Sequence, residues 1–186
     1  EELEGNALAS GEYFTLKNEL ESKVDHGSGL RTIRDKHGAL CAKETIESGA
    51  VVKRESFYPT GTPHVIVSYN NGIIHGEKKV FAEGGEPLSI ESWKDGNLDG
   101  VCTYFQNGVK LEEIEYRYGY KHGTERHFID GESLASEIAW QDNQKHGPIT
   151  YYCDGISHTE WYYNNQPVSK SKFEELVERE KMISIM

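Results

Sequence analysis

Short runs of alternating polar and apolar residues fill most of this chain, and small polar residues interrupt them at regular intervals. Between Gly76 and Gly84 runs Glu-Lys-Lys-Val-Phe-Ala-Glu, and from Gly85 to Trp93 a second run carries Leu88 and Ile90. The equivalent runs further on are Val109–Tyr116, Glu132–Trp140 and Ile156–Tyr163. Alternation with a period of two predicts β-strands with one face turned from water. The glycines between them, and pairs such as Asn-Gly and Asp-Gly, predict hairpin turns in which the backbone needs φ > 0. Two strands per 23–24 residues, joined alternately by two kinds of turn, make an antiparallel meander.

The meander is periodic. Tyr69-Asn70-Asn71-Gly72-Ile73-Ile74-His75-Gly76 aligns without a gap with Trp93–Gly100, Tyr116–Gly123 and Trp140–Gly147. Each copy is followed at fixed distance by an aromatic and a glycine: Phe81…Gly84, Phe105…Gly108, Phe128…Gly131 and Tyr152…Gly155. A fixed period of this size marks a repeat architecture, in which each unit depends on its neighbours. Degenerate copies begin at Val24-Asp25-His26-Gly27 and at Ile46–Lys53, and Tyr163–Val168 reads as a last, incomplete one. Residues at one register recur on one face of the sheet. Tyr69, Trp93, Tyr116, Trp140 and Tyr163 are therefore expected in one column, and Phe81, Phe105, Phe128 and Tyr152 in another. Successive rings in a column stand about 9–10 Å apart, twice the strand spacing.

Residues 1–20 show no repeat signature and are expected to form an N-terminal cap or tail, with the repeats over 21–168. Ser171-Lys172-Phe173-Glu174 has capping-box spacing, and Phe173, Leu176 and Val177 share a helical face. The segment 169–186 is therefore expected as a helix over about 170–182 and a tail, with the helix covering the open edge of the last hairpin. The fold expected is all-β: an elongated single-layer antiparallel β-hairpin repeat array with a short C-terminal capping helix.

Composition and charge narrow the partners. The formal net charge is −11, and residues 62–166 hold 16 Asp/Glu against 8 Lys/Arg, or −8. A surface of that sign repels phosphate backbones and anionic bilayers, so nucleic acid is not an expected partner and membrane contact is disfavoured. No apolar run is long enough to span a bilayer as a helix. Cys41, Cys102 and Cys153 form no metal-spaced pair, and their odd number leans slightly towards a reducing, cytoplasmic compartment. The chain begins at Glu1, so an upstream signal peptide, anchor or domain, and with it export, stays open.

The candidate chemistry is sparse. His75, His122 and His146 share one repeat position, but neighbouring copies lie about 9–10 Å apart, too far to share a zinc whose ligand nitrogens each sit about 2.0–2.1 Å from the metal. A turn role, with the imidazole bonding nearby backbone, is expected instead. His64, His127 and His158 show no Cys or carboxylate at ligand spacing and are read as strand-packing residues. No nucleophile elbow, zinc-protease or phosphate-loop motif is present. No catalytic residue, metal ligand or cofactor is expected. Beyond the two columns stand Tyr104, Tyr118, Tyr120, Tyr151, Trp161 and Tyr162, which make up the expected protein-binding aromatic face.

Tyr-x-x-Gly-x-x-His-Gly followed by x-x-x-x-Phe-x-x-Gly resembles the MORN-type repeat. More closely it resembles the bacterial MORN variant of the YwqK-like antitoxin-component family, over about residues 46–166. Asp99 for His, Asn143 and Gln166 for Gly, and Lys53 at a turn glycine depart from the pattern and suggest decay of particular turns. The resemblance implies a β-hairpin sheet used as a scaffold or binding surface. The function expected is non-enzymatic: a MORN-repeat scaffold that binds another protein, in the antitoxin-like case a basic toxin. The alternatives are a peripheral, phospholipid-contacting module and an exported cell-envelope or carbohydrate binder.

Overall fold

The computed structural model describes residues 1–185, with side chains through Ile183; Met186, the end of the expected tail, lies outside the described residues. The chain forms two compact units, Glu1–Asn97 and Leu98–Met186, so compactness divides the repeat segment that the period treats as continuous. The first unit contains β1 (Glu2–Glu4), β2 (Ala7–Phe14), β3 (Leu20–Asp25), β4 (Ser28–Arg34), β5 (Leu40–Glu47), β6 (Ala50–Phe57), β7 (Pro63–Asn70), β8 (Ile73–Phe81) and β9 (Pro87–Lys94). The two-residue β10 (Asn97–Leu98) marks the boundary. The second unit contains β11 (Gly100–Gln106), β12 (Val109–Arg117), β13 (Tyr120–Phe128), β14 (Leu134–Gln141), β15 (Gln144–Cys153), β16 (Ile156–Tyr163), β17 (Gln166–Val168) and the helix α1 (Lys170–Ile185). Within each unit every strand pairs antiparallel with the next in sequence, giving the all-β meander that the alternation predicts.

Both turn classes have a physical basis in their residues. One class places two consecutive residues at φ > 0, as a type I′ hairpin turn requires: Asn71-Gly72, Asp95-Gly96, Tyr118-Gly119, Asp142-Asn143 and Asn164-Asn165 are examples. The other is a five-residue loop closed by a hydrogen bond from its first N–H to its last C=O, as in Thr15–Glu19, Ala82–Glu86 and Ile129–Ser133. Successive type I′ turns are also bonded to one another. The second turn residue donates its N–H to a carbonyl of the preceding repeat: Gly96 to Ile74 at 2.9 Å, Gly119 to Leu98 at 2.8 Å, Asn143 to Lys121 at 3.0 Å and Asn165 to Lys145 at 2.9 Å.

Several expectations are corrected by this geometry. Asn143 does not mark decay: it accepts the αL conformation at φ 64, and its Oδ1 accepts the Lys121 N–H at 2.7 Å. Asn165 repeats the arrangement with Lys145 at 2.8 Å, so Asn165, not Gln166, occupies the turn-glycine position. The last copy is thereby shifted by one residue. Tyr162, not Tyr163, pairs across from Gly147, as Trp140 pairs across from Gly123. Residues 1–20 form β1, the whole of β2 and the first residue of β3, and contribute Leu8 to the core, with Val24 and Ile46. The cap of α1 is Ser169, whose Oγ accepts the Lys172 N–H at 3.2 Å, two residues before the expected Ser171. The helix lies on a sheet face instead of the open edge: Phe173 packs on Trp161, Tyr163 and His146.

One face carries most of the burial in each unit. In the first, alternate residues of β5, Ala42, Glu44 and Ile46, are buried, together with Val67 of β7. In the second, the register links Cys102, Ile114, Glu125, Ile138 and Ile149 across five strands. Of these Cys102 and Ile149 are fully enclosed. A fully buried aliphatic side chain of this kind stabilises by about 1.5–3 kcal/mol.

Candidate functional site

The densest group of ionisable side chains in the second unit lies on that buried face. Glu125 of β13 is buried, and its carboxylate accepts from Lys121 Nζ at 2.5 Å and faces His127 Nε2 at 2.8 Å. The other ring nitrogen of His127, Nδ1, lies 3.6 Å from Glu112 of β12. Pairing brings them together: Glu112 stands opposite His127, and Ile114 opposite Glu125. Alternation along β13 already puts Glu125 and His127 on one face, whereas Glu112 joins them only through the pairing with β12. The strand-packing reading of His127, which found no carboxylate at ligand spacing, is corrected accordingly. Donor atoms of Glu112, Glu125 and His127 all fall within 4.8 Å of one another. The two carboxylates approach opposite nitrogens of one imidazole, and Lys121 occupies the far side of Glu125. The arrangement is an imidazole held between two carboxylates, with an ammonium paired to the buried one.

Lysines fill the gaps in the aromatic column. Tyr116 pairs with Lys121, whose Nζ lies 4.8 Å from the centroid of the Trp140 ring. Trp140 pairs with Lys145, whose Nζ lies 5.5 Å from that of Tyr162. Each lysine thus spans one repeat and sets its ammonium over the next ring, a cation–π contact. Burial pushes the Tyr116 hydroxyl upward in pKa, opposed by a hydrogen bond with Tyr104. Trp140 Nε1 is buried without a hydrogen-bond partner, whereas Trp93 Nε1 of the first unit donates to Glu91 at 2.9 Å. Ile138 stands two residues before Trp140, where Glu91 stands two before Trp93.

The six aromatics expected as one binding face do not share a face. Tyr104, Tyr151 and Tyr162 lie on the face of Glu125, since Tyr104 pairs with Glu112, Tyr151 with Ser136, and Tyr162 with Gly147. Trp161 points the other way, under Phe173 and with Lys170 Nζ 5.7 Å from its ring centroid. Tyr118 and Tyr120 stand at a turn, 68% and 53% exposed. Tyr151 is also exposed, and Tyr104, Trp161 and Tyr162 are half-buried.

The repeated histidines have a turn role, and its partner lies in the next repeat. His75 Nδ1 meets Asp95 Oδ1 at 3.2 Å, His122 Nδ1 meets Asp142 Oδ1 at 3.2 Å, and His146 Nδ1 meets Asn164 Oδ1 at 2.8 Å. Asp99, at the same repeat position, accepts the Tyr118 N–H at 3.0 Å, as His75 Nδ1 accepts the Asp95 N–H at 3.4 Å, so the His-to-Asp change keeps the connection. The expected backbone bond is present at His75, with Asp95 at the start of the following turn, and the side chain of that turn residue is a second partner.

Cys102 is buried, and Cys41 and Cys153 are exposed. Among the described residues no helix is long and apolar enough to cross a membrane. No family model matches the chain, and no curated protein matches it.

Proposed function

We propose that this chain is a non-enzymatic hairpin-repeat scaffold of the MORN type, and that it binds a partner protein at the exposed turn carrying Tyr118 and Tyr120. The observation that carries this reading is the backbone of Tyr118. It holds φ 52, a left-handed conformation that Asn, Asp and Gly reach most readily and that costs a bulky side chain of order 1–2 kcal/mol. The corresponding turn positions are His26, Ser48, Asn71, Asp95, Asp142 and Asn164, all of them polar side chains without the bulk of a tyrosine. A strained aromatic presented to solvent beside a second exposed Tyr is a rigid, amphipathic contact, of the kind that dominates binding at protein interfaces.

The interior charges fit the same reading, because Glu125, His127 and Lys121 are engaged with one another. The net charge of −11 favours a basic partner. In the YwqK-like setting that the repeats resemble, that partner is a toxin. The test is chemical cross-linking in the source cell with the natural chain and with Tyr118→Asn/Tyr120→Ser. A specific cross-linked protein that disappears with the double variant supports the reading; a specific cross-link retained at full yield contradicts it.

A further inference from the structure

The last hairpin of the second unit differs from those before it. The pairs β11–β12, β12–β13, β13–β14 and β14–β15 each carry a register shift, whereas β15–β16 and β16–β17 carry none. The short β17 pairs only with Trp161, Tyr162 and Tyr163. Residues Ile156–Glu160 therefore pair on the β15 side alone, and all five are exposed. The helix does not cover them, since its Phe173 reaches Trp161 and Tyr163 at the other end of the strand. The two-residue turn Asp154-Gly155 closes Cys153 against Ile156. Alternation from that hydrogen-bonded pair directs the N–H and C=O of Ser157 and Thr159 to the open side. Natural sheet edges are blunted by proline, lysine or bulges. This stretch has none of the three, while Pro167 sits on β17, where the edge is already short.

We propose that Ile156–Glu160 is a strand-addition site for an extended, basic segment of a partner protein. The proposal rests on the partner-binding reading above and adds a second, independent contact to it. An added strand satisfies the open backbone groups of Ser157 and Thr159 and sets its side chains against Ile156, His158 and Glu160 on one face. The charge of the occupant follows from the rim. Residues 154–160 contain Asp154 and Glu160 and no Lys or Arg, so lysine or arginine opposite them is complementary, and β-branched residues suit Ser157 and Thr159.

The test uses the full chain and a labelled peptide of about nine residues that alternates Lys with Val and Thr, a length typical of strands. Fluorescence anisotropy measures its affinity, and hydrogen exchange measures protection of the Ser157 and Thr159 amides. The expected result is saturable binding with both amides protected. Binding weakens about tenfold when the peptide is interrupted by proline at unchanged charge, and again for Thr159→Pro or Glu160→Lys, since each removes a ladder bond or a cross-strand ion pair. Tyr118→Asn leaves peptide affinity unchanged. Equal binding of the two peptides overturns the proposal, because attraction then depends on charge alone. Protection of both amides without peptide, together with a dimer mass in sedimentation, also overturns it and makes a second copy the occupant. Loss of the strand contact with Tyr118-dependent cross-linking intact refutes this site alone; the converse refutes only the turn site.

Discussion

Tyr118 and Asn143 occupy adjacent positions of the same turn type, and each shows what the left-handed backbone demands. Tyr118 takes the first turn position at φ 52 with a bulky side chain; Asn143 takes the second at φ 64 with a side chain that bonds back to the preceding repeat. Replacing Tyr118 by Asn relieves the strain and is expected to stabilise the fold by about 1 kcal/mol, raising the thermal midpoint by a few degrees. Asn143→Ala loses both the conformational fit and the bond to Lys121. It is expected to cost about 2 kcal/mol in denaturant unfolding, against less than about 1 kcal/mol for Asn143→Gly, which keeps the fit. Equal costs for the two substitutions would show that the backbone conformation does not decide this position.

At the scale of the strands, Lys121 on β13 links two structures, the buried carboxylate of Glu125 and the ring of Trp140 on β14. Lys121→Met leaves Glu125 with His127 alone and is expected to destabilise by about 3 kcal/mol, because a buried charge loses its partner. Adding Glu125→Leu to that variant removes the stranded charge and is expected to recover most of the loss, which a double-mutant cycle reads directly. How much of this was visible beforehand differs by element. The strands, the turns at Asn71-Gly72 and Asp95-Gly96, and the C-terminal helix follow from local alternation and turn chemistry. By sequence Tyr163 falls in the column, because Tyr163-Asn164-Asn165 copies Tyr69-Asn70-Asn71. Both asparagines tolerate the left-handed region, so only the pairing of Tyr162 with Gly147 decides the frame. The parity of Trp161 and Tyr162 was legible, since neighbours along a strand face opposite ways. That Glu125 and His127 share a face was legible in the same way; that Glu112 joins them was not, because it depends on the cross-strand register of β12–β13.

For the molecule as a whole, stability against pH and the choice of partner both follow from where charge is held. Burial first, and then the hydrogen bond to Glu1, push the Tyr13 hydroxyl in the first unit up to about 12. A raised folded value means the neutral hydroxyl is favoured in the native state. Its contribution is therefore complete below pH 10 and is lost as pH rises from about 10 to 12. Tyr13→Phe is expected to flatten the stability–pH curve in that window, and an unchanged slope would exclude Tyr13 as its source. In the function we propose, the surplus of carboxylates steers a basic partner towards the chain and the turn at Tyr118 offers it a rigid aromatic contact. The most direct test pairs two readings on Tyr118→Asn: cross-linking to the partner in the source cell and the thermal unfolding midpoint. The account predicts that the cross-linked partner is lost while the midpoint rises. A partner retained at full yield, or one lost together with a fall in the midpoint, contradicts it.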